Sequence, residues 1–289
     1  MKIAFIGLGN MGAPMAANLA AAGHDVTGFD MAAPAPDGVT MAENAAGAAS
    51  GADIVVTMLP NGDILRAVAA EVVPAMQAGA VLLDCSTVDV DSARAVADMA
   101  ADHGCGALDA PVSGGIGGAA AGTLTFMVGG AQDALAKAMP LFDVMGGRTV
   151  HCGPSGNGQA AKICNNMILG ATMAVTCEAF ALADKLGLDR QAMYDVASTS
   201  SGQSWSLTTY CPAPGVGPTS PADNGYKPGF AAELMQKDLG LALQAAEAVD
   251  SPTPLGTEAL RQYTDFVEDD GRGKDFSALL ERFVGRGRT

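Results

Sequence analysis

The sequence is short of positive charge. Its 289 residues include 16 lysines and arginines against 31 aspartates and glutamates, for a formal net charge of −15. Such a chain repels the phosphates of nucleic acids and the anionic headgroups of membranes, so neither is an expected partner. Charged residues make up only 16% of the chain and hydrophobic residues 49%, which excludes a disordered protein and predicts a folded globular one.

The spacings of metal and redox sites are also lacking. None of the six cysteines forms a Cys-x-x-Cys pair, and none of the three histidines stands at metal-ligand spacing beside them. We therefore expect no metal site and interpret the cysteines as reduced thiols that pack as small apolar residues.

Targeting and membrane-spanning segments are lacking too. No apolar run of about 18 residues is free of glycine or polar breaks, so no bilayer span is expected. The first predicted strand begins at Lys2, which leaves no room for a signal peptide. These absences predict a cytoplasmic protein.

What is present begins with an alternation of apolar, β-rich runs and alanine-rich helical stretches in the first half. This pattern predicts a parallel sheet covered by helices on both faces. The predicted strands are Lys2–Ile6, Asp25–Phe29, Ile54–Met58, Val81–Asp84, Ala107–Ala110 and Thr125–Val128. The predicted helices are Gly12–Ala22, Glu43–Ala49, Ile64–Met76, Val90–Ala101 and Ala131–Met139.

The pattern changes near residue 157. An almost entirely apolar helix is predicted from about Gly158 to Leu186, and only helices and one long loop follow. The loop, about residues 200–229, contains prolines that break any helix, and loops of this length are usually lids, binding loops or oligomer contacts. We therefore divide the chain into residues 1–157 and an all-helical substrate and oligomerisation domain, residues 158–289.

A glycine-rich motif, Gly7-Leu8-Gly9-Asn10-Met11-Gly12, fits G-x-G-x-x-G between a predicted strand and helix. The glycines permit a tight turn and let backbone N–H groups approach a pyrophosphate at the helix N-terminus. About 20 residues on, Asp30 ends the next strand, where a carboxylate accepts hydrogen bonds from ribose hydroxyls. Met31 supplies no cation for a 2′-phosphate, so NAD is favoured over NADP. The motif predicts a Rossmann-type doubly wound sheet; the alternatives are an ordinary turn and a strand-end capping acid.

Lys162 and Asn166 stand one turn apart in the apolar helix, so their side chains share a face. A lysine in such surroundings is costly unless it has a partner or a function. Its apolar environment is expected to lower its pKa and make the neutral amine accessible. The pair predicts the place where a substrate hydroxyl meets a nicotinamide ring, and the alternative is a snorkelling or salt-bridged structural lysine.

A second glycine cluster contains Ser113, Gly114 and Gly115, just past a predicted strand. Ligands of open α/β sheets bind beyond the carboxyl ends of the strands. A hydroxyl and two backbone N–H groups unshielded by side chains would cradle a carboxylate there. The alternative interpretation is a flexible turn.

Taken together, these stretches resemble the β-hydroxyacid dehydrogenase family over nearly the whole chain. The matching segments are Gly7–Asn18, Thr57–Pro60, Asp84–Thr87, Asp109–Gly130, Gly158–Met167 and Leu234–Leu241. The loop from Ser200 to Val216 looks like that of the members that act on hydroxyisobutyrate. It is not typical of the shorter members that act on tartronate semialdehyde or glyoxylate.

The resemblance implies a role for individual residues. Lys162 matches the catalytic lysine, Asn166 the amide that contacts substrate, and Ser113 with its two glycines the carboxylate-binding turn. The remaining matches are Lys237, near substrate and nicotinamide, and the cofactor contacts Leu59, Pro60 and Thr87. An asparagine that some relatives carry after the Leu-Pro pair is replaced here by Ile64, so that cofactor contact is not expected.

The implied reaction is NAD-dependent oxidation of 3-hydroxyisobutyrate to methylmalonate semialdehyde, a step of valine catabolism, with Lys162 as general base. The resemblance also implies a homodimer or homotetramer that pairs through the helical domain. Two alternatives stay open: a sibling enzyme acting on tartronate, succinic or glyoxylic semialdehyde, and a dinucleotide-binding module without catalysis. Lys237 has its own alternative, a solvated charge on a helix.

Overall fold

The computed structural model describes residues 1–284, and within them nine strands form one sheet. The strands are β1 (Lys2–Ile6), β2 (Asp25–Phe29), β3 (Thr40–Met41), β4 (Ile54–Thr57), β5 (Val81–Asp84), β6 (Gly106–Asp109), β7 (Val112–Ser113), β8 (Leu124–Gly130) and β9 (Gly146–Gly153). Their order is β3-β2-β1-β4-β5-β6-β8-β7, with β9 paired to β8. The order reverses between β1 and β4, and this reversal is the switch point of a Rossmann-type sheet.

Helices cover both faces of this sheet. They are α1 (Gly12–Ala21), α2 (Ala45–Ala49), α3 (Gly62–Val72), α4 (Val90–Asp102), α5 (Gly115–Ala121) and α6 (Gln132–Met145). Successive residues of β1 enter two separate cores, Ile3 and Phe5 one of them, Ala4 and Ile6 the other. Because neighbouring strand residues point to opposite faces, this division confirms the predicted doubly wound sheet.

The expected parallel arrangement ends at β6. The pairs from β3 to β6 are parallel, but β8 runs antiparallel to both β6 and β7. A parallel crossover needs about a dozen residues or more. Only residues 114–123 separate β7 from β8, so the chain turns back instead of crossing over. The sheet is therefore parallel from β3 to β6 and mixed at this side.

The end of α6 also differs from the prediction, which stopped the helix at Met139. The helix continues through Pro140 to Met145. A proline inside a helix removes one backbone hydrogen bond. Here Leu141, Phe142 and Met145 are buried in the core, and this packing keeps the last turn helical.

The rest of the described chain is helical, as predicted. Its helices are α7 (Asn157–Leu186), α8 (Arg190–Ala197), α9 (Trp205–Thr208), α10 (Ala232–Ala248), α11 (Pro254–Phe266) and α12 (Leu280–Val284). Their core is built on large buried side chains, among them Met173, Phe180, Tyr263 and Phe276.

Two compact units make up the chain, Met1–Lys162 and Ile163–Thr289, which we call the nucleotide-binding unit and the helical unit. The division falls inside α7, so the first turns of this helix belong to the nucleotide-binding unit. The domain boundary at residue 157 remains a prediction, and residues 285–289 of the predicted second domain lie outside the described residues.

The long loop contains α9 and a short 3-10 helix, Pro221–Asn224. Asp275 joins an inner part of the loop to its carboxyl end, because its Oδ2 accepts hydrogen bonds from Tyr210 Oη (2.9 Å) and from the N–H groups of Gly229 (2.9 Å) and Phe230 (3.0 Å). The loop is therefore an ordered part of the helical unit.

Among the described residues, α7 is the one helix whose length and apolar composition would allow it to cross a membrane. A core helix passes the same test. Met173, Cys177 and Phe180 of α7 are fully buried in the helical core.

Candidate active site

The glycine motif forms a tight turn at the carboxyl end of β1. Gly7 has φ +95°, and a Cβ there would overlap the carbonyl oxygen of Met58. A Cβ on Gly12, where α1 begins, would overlap the carbonyl oxygen of Gly7. Gly9 differs, because within residues 1–284 no atom beyond its own chain neighbours lies within 4 Å of its Cβ position. The first and third glycines thus serve the fold, while the second leaves open space beside the backbone, as a pyrophosphate requires.

Asp30 is joined to this turn. Its Oδ2 accepts a hydrogen bond from the N–H of Leu8 (2.7 Å), and its Oδ1 accepts from Ala32 (2.8 Å) and Ala33 (2.8 Å). Partial burial acts to raise the pKa of Asp30, but the three backbone donors together lower it below its ordinary value. The carboxylate is held ionised and in a fixed orientation, which fits hydrogen bonding to ribose hydroxyls.

The segment after Asp30 carries no positive charge. Residues 31–38 contain no lysine or arginine, and Met31 is 95% exposed. A 2′-phosphate would meet the Asp30 carboxylate with no cation from this segment, so the local charge fits NAD.

The predicted cofactor contacts Leu59, Pro60 and Thr87 lie just beyond the carboxyl ends of β4 and β5. The N–H of Leu59 donates to Ser86 Oγ (2.8 Å), and Ser86 Oγ donates to Asp84 Oδ1 (2.6 Å). These residues share one edge of the sheet with the glycine motif, as expected for a ligand at the switch point.

Beneath them lies the buried carboxyl of Asp84. Its Oδ1 also accepts from Thr57 Oγ1 (2.7 Å), while its Oδ2 has no hydrogen-bond partner within residues 1–284. Burial raises the pKa of Asp84 to about 6, against the opposing hydrogen bonds from Ser86 and Thr57. The sequence analysis assigned Asp84 no role, and its contacts make it a support for the cofactor edge.

The predicted carboxylate cradle is a glycine-dependent turn. Ser113 ends β7, Gly114 has φ +134°, and Gly115, which starts α5, has φ +62°. Both glycines adopt left-handed backbone that other residues avoid. Their N–H groups and the Ser113 hydroxyl therefore belong to one short turn, the arrangement that carboxylate binding needs.

Lys162 lies in the second turn of α7 and is only 7% exposed. It belongs to the nucleotide-binding unit, whose sheet edge carries the glycine motif and Thr87. The first turn of α7 is bonded to the ends of β5 and β6 through Asp109 and Gln159. Lys162 is therefore buried, as its apolar surroundings predicted, on a helix whose first turn is fixed to this edge, and its catalytic role remains a prediction.

Asn166, one turn further along α7, is buried in the helical unit. Its Nδ2 donates to Asp238 Oδ2 (2.6 Å), and its Oδ1 accepts from Asn165 Nδ2 (3.0 Å). Lys237 Nζ lies 3.3 Å from the other oxygen of Asp238. The structure thus brings Asn166 and Lys237 together through a buried carboxylate.

Asp238, for which the sequence predicted no role, links two predicted site residues. It stands next to Lys237 in the stretch Leu234–Leu241, and an acid beside a lysine is typical of an ordinary surface pair. The signal that could have identified it is position: Asp238, Met235 and Leu239 are all buried on one side of α10.

Metal-ligand geometry is not found among the described residues, where no group of three or more histidine, cysteine or acidic side chains could hold an ion. All six cysteines lie within the described residues and are free thiols.

Comparison with known proteins adds the family. A model described as the NAD binding domain of 6-phosphogluconate dehydrogenase matches residues 2–153. A second, described as NAD-binding of NADP-dependent 3-hydroxyisobutyrate dehydrogenase, matches residues 156–283.

Curated relatives match end to end. The chain is 48% identical to a probable 3-hydroxyisobutyrate dehydrogenase of Mycobacterium tuberculosis, over 98% of each chain. It is 47% identical to the 3-hydroxyisobutyrate dehydrogenase of Pseudomonas aeruginosa, over 98% of this chain and 99% of the relative. It is also 45% identical to the NAD-dependent L-serine dehydrogenase of that organism, over 98% and 97%.

A solved structure of M. tuberculosis 3-hydroxyisobutyrate dehydrogenase with L-serine superposes with a TM-score of 0.94 at 48% identity. The match covers 98% of this chain and 99% of the other. Sequence and backbone therefore agree along nearly the whole length.

Proposed function

The chain belongs to the 3-hydroxyisobutyrate dehydrogenase family of β-hydroxyacid dehydrogenases, and from this premise we propose that it oxidises 3-hydroxyisobutyrate to methylmalonate semialdehyde with NAD. The reaction converts a primary alcohol to an aldehyde, as valine breakdown requires. It is testable by the appearance of NADH absorbance when enzyme, NAD and 3-hydroxyisobutyrate are mixed.

The observation that carries the proposal is the buried position of Lys162 in a helix bonded to the cofactor edge of the sheet. As the substrate C–H bond breaks, the hydroxyl proton passes to the neutral amine Nζ of Lys162, which acts as general base. NAD, when bound, would supply the acceptor for the hydride that leaves this carbon. In the reverse direction the ammonium of Lys162 returns a proton to the carbonyl oxygen.

The other predicted residues hold the substrate in this proposal. Ser113 and the N–H groups of Gly114 and Gly115 bind its carboxylate, and Lys237 adds positive charge. Asn166 keeps the reacting oxygen in line through the second N–H of its amide, since the first is engaged by Asp238. Positioning of this kind supplies much of an enzyme's rate.

NAD is the proposed cofactor, and NADP a poor substitute. The description of the family model that matches the second half names an NADP-dependent enzyme. The residues proposed to contact the adenosine ribose, however, lie in the first half of the chain. Asp30 and the uncharged segment after it support the preference for NAD.

L-serine is a second candidate substrate. One relative is named an NAD-dependent L-serine dehydrogenase, and the M. tuberculosis structure was solved with L-serine. Serine has the same carboxylate and primary alcohol as 3-hydroxyisobutyrate, with an α-ammonium in place of the methyl group. Comparing kcat/KM across 3-hydroxyisobutyrate, L-serine, glycerate, 4-hydroxybutyrate and glycolate, each with NAD and NADP, ranks these substrates and tests the sibling activities.

The chain is also proposed to form a cytoplasmic homodimer or homotetramer. Ile168 (64% exposed), Val175 (58%) and Leu182 (58%) recur every seven residues along α7, which places aliphatic side chains on one exposed stripe. A second copy of the chain would cover this stripe, and analytical ultracentrifugation of the wild type beside a Val175→Lys variant tests it. A monomeric wild type would contradict the proposal.

A further inference from the structure

The side chain of Gln159 hydrogen-bonds to the backbone on both sides of Thr87. Gln159 is 0% exposed; its Nε2 donates to the carbonyl oxygen of Ser86 (2.8 Å), and its Oε1 accepts from the N–H of Val88 (3.1 Å). The amide of Gln159 thus hydrogen-bonds to the backbone just after β5, as a neighbouring strand would. Thr87, the proposed cofactor contact, is the residue between the two bonds.

The turn that carries Gln159 is fixed independently by Asp109. The carboxylate of Asp109 accepts hydrogen bonds from the N–H groups of Gly156 (2.7 Å, Oδ1) and Gln159 (2.9 Å, Oδ2), which lie at the beginning of α7. Acids are favoured at this end of a helix because its first N–H groups lack partners within the helix. The acid here comes from the end of β6, so the cap also attaches the helix to the sheet.

Glycine at position 158 lets this turn lie flush against the sheet. A Cβ on Gly158 would overlap the carbonyl oxygens of Asp109 and Met127. The first turn of α7 is therefore held by side-chain and backbone bonds and by close packing, and it has little freedom to rotate or slide.

Lys162 follows Gln159 by three residues in the same helix, so the two side chains leave α7 on neighbouring positions of one face. We propose that Gln159 is a positioning residue that sets the place of Lys162 relative to the backbone at Thr87. The inference rests on the proposed function, in which Lys162 takes the substrate proton and Thr87 contacts the cofactor. Gln159 itself touches neither reacting group; it acts through the helix and through the loop after β5.

The test is a double-mutant cycle that joins Gln159→Met to Lys162→Ala. Methionine keeps the unbranched shape of glutamine and removes both hydrogen bonds. Displacing a catalytic group by about 1 Å can lower the rate as much as 10²-fold. We expect Q159M to lower kcat by about 10-fold to 100-fold with KM for the hydroxy acid changed by less than about threefold. In the K162A background the same change should alter the residual rate by less than about twofold.

Gln77→Met is the matched control. Gln77 makes the same kind of bond, from Nε2 to the carbonyl oxygen of Ala52 (3.2 Å), at the amino end of β4 and so at the opposite edge of the same sheet. We expect Q77M to leave kcat within about twofold of the wild type. If Q159M does not fold, Gln159→Glu replaces it, since glutamate keeps the bond accepted from Val88 and loses the one donated to Ser86.

Two results would overturn the inference. One is a kcat of Q159M, or of its glutamate substitute, within twofold of the wild type. The other is an equal loss in the K162A background, which would mean that Gln159 acts on the whole fold and not through Lys162. The proposed function fails separately, if the wild type turns over no 3-hydroxy acid or if K162A alone keeps full turnover.

Discussion

Two buried aspartates, one in each unit, satisfy their carboxylates in different ways. Asp275 in the helical unit uses both oxygens, Oδ1 accepting from Ser277 and Oδ2 from Tyr210 and the loop backbone. Asp84 at the end of β5 accepts its bonds on Oδ1, from Ser86 and a second hydroxyl, and within residues 1–284 its Oδ2 has no partner. Both oxygens of Asp275 therefore accept hydrogen bonds, whereas only one oxygen of Asp84 does.

We interpret the difference as one between a carboxylate that maintains the fold and a carboxylate that lies under a ligand-binding edge. A buried polar group without a partner lowers stability, so a fold keeps few of them. The half-used Asp84 lies directly under the proposed cofactor contacts, whereas Asp275 closes the long loop. We therefore expect substitutions at the sheet edge to change turnover, cofactor choice and pH dependence. Substitutions at Asp275 should lower the free energy of unfolding.

The largest expected effect is on turnover at the sheet edge. Lys162→Ala should lower kcat by about 10²-fold to 10⁴-fold, because the substrate proton loses its acceptor. Steady-state NADH formation gives kcat, and titration of NADH fluorescence should give a cofactor Kd within about threefold of the wild type. Lys137→Ala, at an exposed lysine bonded to the carbonyl oxygen of Gly79, is the control and should keep wild-type turnover. Near-normal turnover of K162A would remove Lys162 from its role.

The next effect is a pH dependence of stability that Asp84 introduces. Its pKa is raised from 3.8 in the unfolded chain to about 6 in the folded one, so the folded state holds this proton more tightly. The stabilising contribution is complete below the unfolded pKa and is lost as pH rises through about 6. The loss is about 3 kcal/mol in the free energy of unfolding.

Asp84→Asn removes this titration. Urea unfolding at pH 4 and pH 8 should show the variant gaining about 2 kcal/mol on the wild type between the two values, less than the full difference because pH 4 lies just above the unfolded pKa. If the free energies of unfolding of the two proteins differ by the same amount at both pH values, Asp84 does not titrate in this interval. The proposed difference between Asp84 and Asp275 would then be wrong.

For Asp275 the expected change is in stability alone. Asp275→Asn places an amide N–H against the donors of Tyr210, Gly229 and Phe230, and leaves buried groups unpaired. The free energy of unfolding should fall by about 2 kcal/mol. Urea unfolding measures it, and Lys137→Ala, at the exposed lysine used above, is the control with unchanged stability. Equal stabilities of D275N and the wild type would contradict the assignment of Asp275 to structure.

The smallest expected effect is on cofactor choice. Replacing Asp30 by Ala together with Met31 by Arg removes the repulsive carboxylate and adds a cation for the 2′-phosphate. The ratio of kcat/KM with NADP to that with NAD should rise at least about tenfold. Met31→Arg alone is the matched control and should shift the ratio less. A native enzyme that already prefers NADP would contradict the role of Asp30.

The sequence was sufficient wherever a feature is local. Apolar, β-rich runs located the main strands of the sheet to within a residue or two, and the glycine spacing predicted the turn after β1. The Lys162–Asn166 spacing needed only the helix repeat. Local pattern failed for β9, which has no buried residue and follows α6 directly. It also failed for the helical turn that α6 keeps beyond Pro140.

The polar contacts of the site could not be predicted, because they join distant parts of the chain. Gln159 bonds to the backbone beside Thr87 more than seventy residues away, and Asn166 reaches Asp238 at a similar separation. The helix period can mark Asp238 as buried, but no propensity or period names the distant residue to which a glutamine or aspartate will bond. The roles of the predicted site residues therefore remain predictions, now placed on defined elements.

One aromatic pair gives the molecule its own optical reporter. Trp205 is the only tryptophan in the chain, is 50% exposed, and stacks on Tyr210 with ring centroids 4.9 Å apart. Selective excitation of the indole therefore samples the long loop and not the sheet. Emission from this ring should redden when the loop detaches, even while circular dichroism of the nine-stranded sheet stays constant, so the two signals can time the opening of the loop against the melting of the chain.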